Sequence, residues 1–234
     1  PGSGGNTSRR VPPGLAARRA AAALVGHVVD DHASLETLTD DSKGLPAWLA
    51  LDARDRALAR AIAVTALRHR GAIAAAIARV ADRPPPQRAR HLANTLHAAC
   101  AQILYMDVPD SAAVDLAVSA AAREPRSARF AGFANAILRR MAREKESLRA
   151  IAPSAASAFP DWLARRLSSD HGRAKAAAIA SMLAEEPVLD LTVHPRLDAA
   201  ARAGLAAELG ASVLPTGSLR LIDPGPVPQL PGHD

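Results

Sequence analysis

A mainly α-helical protein, built as an all-helical bundle followed by a small α/β subdomain, is expected from three features of this 234-residue chain. Apolar residues recur at three- and four-residue spacing through most of the first 150 positions, the period of a helix with one buried face. Two short runs after residue 185 alternate instead, the period of a strand. Apolar residues make up 49% of the chain but aromatics only 3%, which suits closely packed, alanine-rich helices better than a β-sandwich.

Taken in order, Pro1-Gly2-Ser3 has the look of a tag remnant, and residues 1–8 form a loose start. The bundle is expected over 9–150. Its first helix spans about Leu15 to His32, with Leu24, Val28 and Val29 inward and Arg18 and Arg19 outward. Asp40-Asp41-Ser42-Lys43-Gly44 reads as a loop. Asp52 caps a second long helix that ends near Arg68-His69-Arg70-Gly71. Ile73, Ile77 and Val80 continue the stripe until Asp82-Arg83-Pro84-Pro85-Pro86 stops it. Leu92, Leu96, Ile103 and Leu104 mark the buried face of a helix over 87–106. Asp110 or Ser111 is expected to cap the next helix, which carries Val114, Val118 and Ala121.

The bundle closes on Phe130-Ala131-Gly132-Phe133-Ala134-Asn135-Ala136-Ile137-Leu138-Arg139-Arg140-Met141-Ala142-Arg143. Phe130, Phe133 or Ala134, Ile137 and Met141 share one side of a helix, and two of the chain's three phenylalanines lie there. Arg129, Arg140 and Arg143 fall within about 60° of each other beside that side. Asn135 lies off both stripes and reads as a buried amide bonded to neighbouring backbone. Residues 150–159 read as a linker, and Pro160-Asp161-Trp162-Leu163 opens a helix. The α/β subdomain is expected over 158–222: a helix from Arg173 to Ala184, a strand at Val188–Val193, a helix at Asp198–Leu209 ended by Gly210, and a strand at Ser218–Ile222. Residues 223–234, with four prolines, read as an extended connector.

Charge divides the chain as well. Residues 1–150 carry 22 Lys+Arg against 14 Asp+Glu, a net +8, while residues 151–234 carry 7 against 9, a net −2. A basic first part faces a polyanion. All but Lys43, Lys145 and Lys175 of the 29 basic residues are arginine, whose planar fork suits phosphate. Arg9, Arg10, Arg18 and Arg19 at one end, and Arg126, Arg129, Arg139, Arg140 and Arg143 at the other, pool into one RNA-binding patch if the first and last helices are neighbours. Cys100 is the sole cysteine, which excludes a disulfide framework and a multi-cysteine metal site. No apolar run reaches the 18 or so residues of a membrane span, and no signal peptide is visible, so a cytoplasmic location is expected.

Three ordered segments also carry a resemblance. Phe133-Ala134-Asn135-Ala136-Ile137-Leu138-Arg139 is similar to the F-x-N-x-x-L signature closing the NusB-like RNA-binding fold. The run from Leu51 to Arg70 resembles L-x-x-R-D-R-x-L-A … L-R. The run from Gln102 to Val118 resembles Q-L-x-x-x-x-V-P-x-H-A-A-V-x-x-A-V, with Ser111 in place of the histidine. Together they resemble the Sun/Fmu-type rRNA 5-methylcytosine methyltransferases, in which Pro160-Asp161-Trp162-Leu163 matches a P-x-W-L segment after the helical domain. The resemblance implies an RNA-binding domain, an arginine-rich first helix meeting rRNA, and a catalytic domain beyond Asp234 using S-adenosylmethionine and two cysteines on a cytosine of 16S rRNA. On that reading this chain holds no cofactor and does not catalyse unaided. Possible partners besides rRNA are its own catalytic domain or a second copy. A protein-interaction module and a stand-alone antitermination factor are the alternatives.

The residues agree on the chemistry. No strand leads into a glycine-rich turn between residues 9 and 222, as S-adenosylmethionine binding requires. Cys100 lies between Leu96 and Ile103 on the inward stripe and reads as a core thiol. His91 and His97 are on different helix faces, His27 is surface and His69 packs inward, so no metal-ligand set forms. Trp48 and Trp162 are expected at core edges.

Overall fold

A computed structural model describes residues 12–86, 89–150, 158–222 and 227–232. They divide into two compact units, one ending at Ala184 and the other beginning at Glu185.

In the first unit, α1 (Leu15–Asp30) is followed by two single turns, α2 (Leu35–Leu38) and α3 (Pro46–Leu49). Then come α4 (Ala53–Arg68) and α5 (Arg70–Val80). Asp52 caps α4 as expected, its Oδ1 accepting the Asp55 backbone N–H at 2.7 Å. Asp52→Ala is therefore expected to cost about 1 kcal/mol of stability. An unchanged urea midpoint would show that the orphan N–H is satisfied by water alone. α4 ends within the expected Arg68–Gly71 stretch, with His69 rather than Gly71 at the cap position. The chain breaks at His69, and α5 leaves α4 at 77° with Gly71 already inside its first turn. His69 fills that corner by stacking on Tyr105, with ring centroids 3.8 Å apart.

α6 (Arg90–Tyr105) is the central element, and α1, α4, α5, α7 and α8 pack around it. Twelve of its sixteen residues are buried, more than one amphipathic stripe provides, because neighbours cover nearly its whole circumference. Its buried polar side chains turn back on their own helix. Thr95 Oγ1 donates to His91 O at 2.8 Å and Gln102 Nε2 to Ala98 O at 2.9 Å. α7 (Asp110–Arg123) begins one residue earlier than a side-chain cap at Asp110 or Ser111 requires. Pro109 occupies the cap position, and the Asp110 carboxylate instead accepts from Lys145 Nζ at 3.0 Å.

The closing stretch is not one continuous helix. A 3₁₀ turn, Ala128–Phe130, precedes α8 (Ala131–Arg143), and α9 (Lys145–Arg149) follows. Ser127 is fully buried, and its Oγ donates to Ala121 O at 3.0 Å, which pins the corner into α8. Ala134, Ile137 and Met141 are buried as the spacing predicts, while Phe130 and Phe133 are half-buried against the same core. Arg149 Nε donates to the Leu104 carbonyl, one of the orphan carbonyls at the end of α6. α10 (Asp161–His171) and α11 (Arg173–Ala184) complete the first unit; the sequence had grouped them with the strands. Trp162 is 66% exposed rather than packed at a core edge, whereas Trp48 is buried.

The second unit holds β1 (Leu189–Leu191), α12 (Ala199–Leu209), β2 (Ser212–Val213) and β3 (Leu219–Leu221). The sheet order is β1-β3-β2, antiparallel throughout, with Leu189 opposite Leu221 and Leu191 opposite Leu219. β2 was not foreseen: at two residues it is too short to show alternation. Asp198 caps α12 by accepting the Ala201 N–H at 2.7 Å. Gly210 ends it at φ 61°, a left-handed conformation that costs glycine nothing. Ala206, Leu219 and Leu221 form the small core, and Arg220 clamps Asp190 with two 2.7 Å bonds across the strand pair. No single helix among the described residues is long and apolar enough to cross a membrane.

Candidate nucleic-acid interface

α5 and α8 pack side by side, and between them the chain leaves a groove of about 720 Å³. One wall is Val80–Arg83, where α5 runs out. The other is the 3₁₀ turn and the outer face of α8, from Arg129 and Phe130 through Phe133 to Arg139, Arg140 and Arg143. Helical periodicity sets this wall, since the residues that flank the buried Ala134, Ile137 and Met141 stripe emerge along its border.

The five arginines of the groove are held differently. Arg140 fastens the two walls through its Nη1, which donates to Val80 O at 3.1 Å, while its Nε donates to Glu144 Oε1 at the end of its own helix at 2.9 Å. Asp82 Oδ1 lies 3.5 Å from the same guanidinium. The Glu144 hydrogen bond and charge, with Asp82 behind them, raise the pKa of Arg140 above its ordinary value. Arg129 lies over Phe130 at 4.7 Å from the ring centroid, and Arg83 over Phe133 at 5.8 Å. Arg139 donates its Nε–H to Asn135 Oδ1 at 3.0 Å, which leaves both terminal nitrogens for another partner. Asn135 is thus half-buried and oriented toward an arginine, not bonded to backbone as the sequence suggested. Among the described residues Arg83, Arg129, Arg139 and Arg143 form no ion pair with a carboxylate. Four cations on one concave face are outside any ion pair among the described residues, with Asp82 the one acid in the groove's lining, beside two half-buried phenyl rings.

The remaining expected residues lie elsewhere. Arg9 and Arg10 fall outside the described residues. Arg126 is exposed in the turn before the groove. Arg18 is half-buried, donates to Gly14 O at 3.2 Å and loses some basicity to burial, partly offset by Asp55; it braces the start of α1. Arg19 is exposed and acts electrostatically on His91, as does Glu124. The principal neighbours of α1 are α3, α4, α6 and α7, and those of α8 are α5, α6, α7 and α9. Neither helix is a principal neighbour of the other, so the side-by-side arrangement expected of the first and last helices is not what forms. Arg129, Arg139, Arg140 and Arg143 come together, and α1 supplies a separate set. Arg83 was missed. Its position in Asp82-Arg83-Pro84 reads as a helix stop, and no periodicity links it to Phe133, fifty residues on.

Titratable groups in the interior show no catalytic poise. Cys100 is fully buried, and burial pushes its thiol above the ordinary value, so it stays protonated. His69, His91 and His97 all have pKa values lowered chiefly by burial. A histidine held neutral in the fold takes up its proton more readily once unfolded. The stability these groups contribute is present above the ordinary histidine value of about 6.5 and is lost as pH falls below it. The urea midpoint is expected to be lower at about pH 5.5 than at about pH 7.5; equal midpoints would show that these rings protonate in place.

A family model described as the NusB family matches residues 15–143, the span from the start of α1 to the end of α8. Among curated proteins, one from Xanthomonas campestris pv. campestris named ribosomal RNA small subunit methyltransferase B is 33% identical over 224 residues, covering 94% of this chain and 49% of its own length. A protein of the same name from Xylella fastidiosa is 34% identical over 226 residues, covering 94% and 50%. Another, from Pasteurella multocida, is 28% identical over 225 residues, covering 93% and 48%. The chain spans about half the length of the curated relatives it matches. With the family model covering more than half of its residues and the helices it spans forming one packed unit, the chain belongs to the NusB family.

Proposed function

We propose that this chain is the RNA-binding region of an S-adenosylmethionine-dependent rRNA cytosine 5-methyltransferase acting on small-subunit RNA in the cytoplasm, and that it docks rRNA through the arginines of the α5–α8 groove. The observation that carries the reading is the set of four guanidiniums without acidic partners, lined up with two partly open aromatic rings. Phosphates supply the missing counter-charge, and each contact releases condensed cations from the RNA, giving affinity and register without base identity. Unstacked bases find partners in the rings and in the guanidinium planes above them. Arg140 has a different role. Its bond to Val80 O ties one wall to the other while Glu144 holds the guanidinium from the end of its own helix, so it shapes the groove more than it binds.

The relatives' printed name supports the reaction class, and the described residues of this chain do not fit its cofactor. The sheet is antiparallel, and among the described residues no strand runs into a glycine-rich turn and helix, so no cradle for S-adenosylmethionine is built here. No methyl-transfer step is assigned to these residues. Their part in the reaction is positional: holding rRNA so that a catalytic domain reaches the cytosine. Titrating a labelled small-subunit rRNA fragment with this chain at two salt concentrations tests the reading. Affinity that falls steeply with salt supports it; affinity indifferent to salt would favour a protein-interaction module and overturn it.

A further inference from the structure

Arg126 stands outside the groove and Arg19 on another helix, yet one end of the bundle draws them together. Only Met106–Pro109 separates α6 from α7, so α7 folds back and its end lies beside the start of α6. α1 packs on both. The three helices meet at His91, whose ring feels the charges of Arg19 from α1 and of Glu124 from the end of α7. Arg90 precedes His91, and Arg123 and Arg126 flank Glu124 and Pro125. Arg19, Arg90, Arg123 and Arg126 form no ion pair among the described residues, and Arg90, Arg123 and Arg126 are exposed. Arg123 Nη1 donates to a neutral acceptor, Ser119 O, at 3.4 Å. Composition explains why no acid answers these cations. Across residues 15–29, 83–106 and 116–143, Glu124 is the single carboxylate, and it is half-buried. Asp30, at the opposite end of α1, accepts from Asn94 at 3.0 Å and acts on Arg70. No acidic residue stands in the first turn of α6 to offset the positive end of that helix.

The turn after α7 joins this end to the groove. Ser127 N and Ala128 N both donate to Glu124 O, at 2.9 and 2.8 Å, and Ser127 Oγ holds Ala121 O, so the chain is wound into one compact corner. Arg123, Arg126 and Arg129 recur every third residue around that corner, and Arg129 lines the groove. We propose that RNA held in the groove continues over this end of the bundle, its phosphates passing from Arg129 to Arg126 and Arg123 and on to Arg90 and Arg19. The proposal rests on the RNA-binding reading and extends it, making Arg90 and Arg123 binding residues and the partner a strand longer than the groove. Cations spread over three helices and a turn match a polymer with a charge on every unit, whereas a small anion would meet one or two of them. No Phe, Tyr or Trp occurs in 15–29, 83–104 or 116–129, so the contact here is with the backbone and carries no base identity. This surface also links the groove to α1, whose arginines otherwise form a set apart.

The test reverses the two new residues and varies the length of the RNA. The unsubstituted chain and the R90E with R123E variant are titrated with single strands of about six and about sixteen nucleotides, at several salt concentrations. On the longer strand the variant is expected to bind about tenfold more weakly, with the salt slope reduced by roughly two units, one per lost phosphate contact. On the shorter strand, which the groove holds by itself, the loss should stay within about threefold. R90Q with R123Q avoids a new negative charge at the end of α7 and should lose affinity for the longer strand in the same direction, to a smaller degree. Unchanged affinity and slope on the longer strand in both variants would overturn the proposal. Equal losses on the two lengths would overturn it as well, since they report net charge and not a path. Failure of the groove reading is a separate result, in which R139E with R143E also leaves the salt slope intact. Loss of binding in R139E with R143E beside full binding in R90E with R123E would sink the path over the bundle end alone.

Discussion

Reversing Arg139 and Arg143 together (R139E with R143E) is expected to weaken RNA binding by about 10–100-fold at low salt and to flatten the salt dependence by roughly one unit of slope per lost phosphate contact. Both side chains are exposed, neither is paired with a carboxylate, and both line the same wall of the groove. Fold perturbation is small. Arg139 gives up one bond to Asn135, and a glutamate at position 143 sits unfavourably near the negative end of the α8 dipole, a few tenths to about 1 kcal/mol. The neutral pair R139Q with R143Q avoids the dipole penalty and should show a smaller loss in the same direction. Reversing Arg165, an exposed arginine of α10, should leave both affinity and slope unchanged if the effect belongs to the groove and not to net charge. Unaltered slopes in the double reversal would remove the groove from the account of RNA binding.

What the residues revealed before the structure was the periodicity, and what they hid was its consequence across elements. Leu92, Leu96, Ile103, Ile137 and Met141 announce their burial because a helix repeats every 3.6 residues and each stripe can be counted within its own segment. The Asp52 and Asp198 caps are legible for the same local reason: the side chain bonds an N–H three residues on. Arg83 over Phe133 is a different kind of fact. It exists because α5 turns 77° away from α4 and comes to rest against α8, and nothing within either segment encodes that angle. The same limit applies to α1: its arginines are visible within their own segment, while its separation from α8 follows from α6 and α7 being shared neighbours of both helices, which neither segment encodes. Trp162 shows the limit from the other side. A large aromatic at a helix start is normally buried, and only tertiary packing decides that this one is not.

Truncating Leu92 is expected to cost the bundle about 2–5 kcal/mol, the largest stability effect among the substitutions considered. The residue has no exposed surface and lies on α6, around which α1, α4, α5, α7 and α8 are packed. A cavity there is enclosed by several helices at once, so no single one can shift to close it, and the loss should fall in the upper part of that range. For a unit of this size the melting temperature should drop by about 5–15 °C. Leu92→Met, which keeps the volume, should cost less than about 1.5 kcal/mol. A loss under 1 kcal/mol for Leu92→Ala would mean that α6 is not tightly surrounded and the packing described is wrong. The experiment also connects stability to binding. Both walls of the arginine groove are built on α5 and α8, and both helices rest on α6. Below its lowered melting point the Leu92→Ala protein should therefore bind RNA with unchanged salt dependence, because no guanidinium has moved from the face. Above it, affinity and helix signal should disappear together, since four separate arginines on an unfolded chain no longer present their charge as one surface.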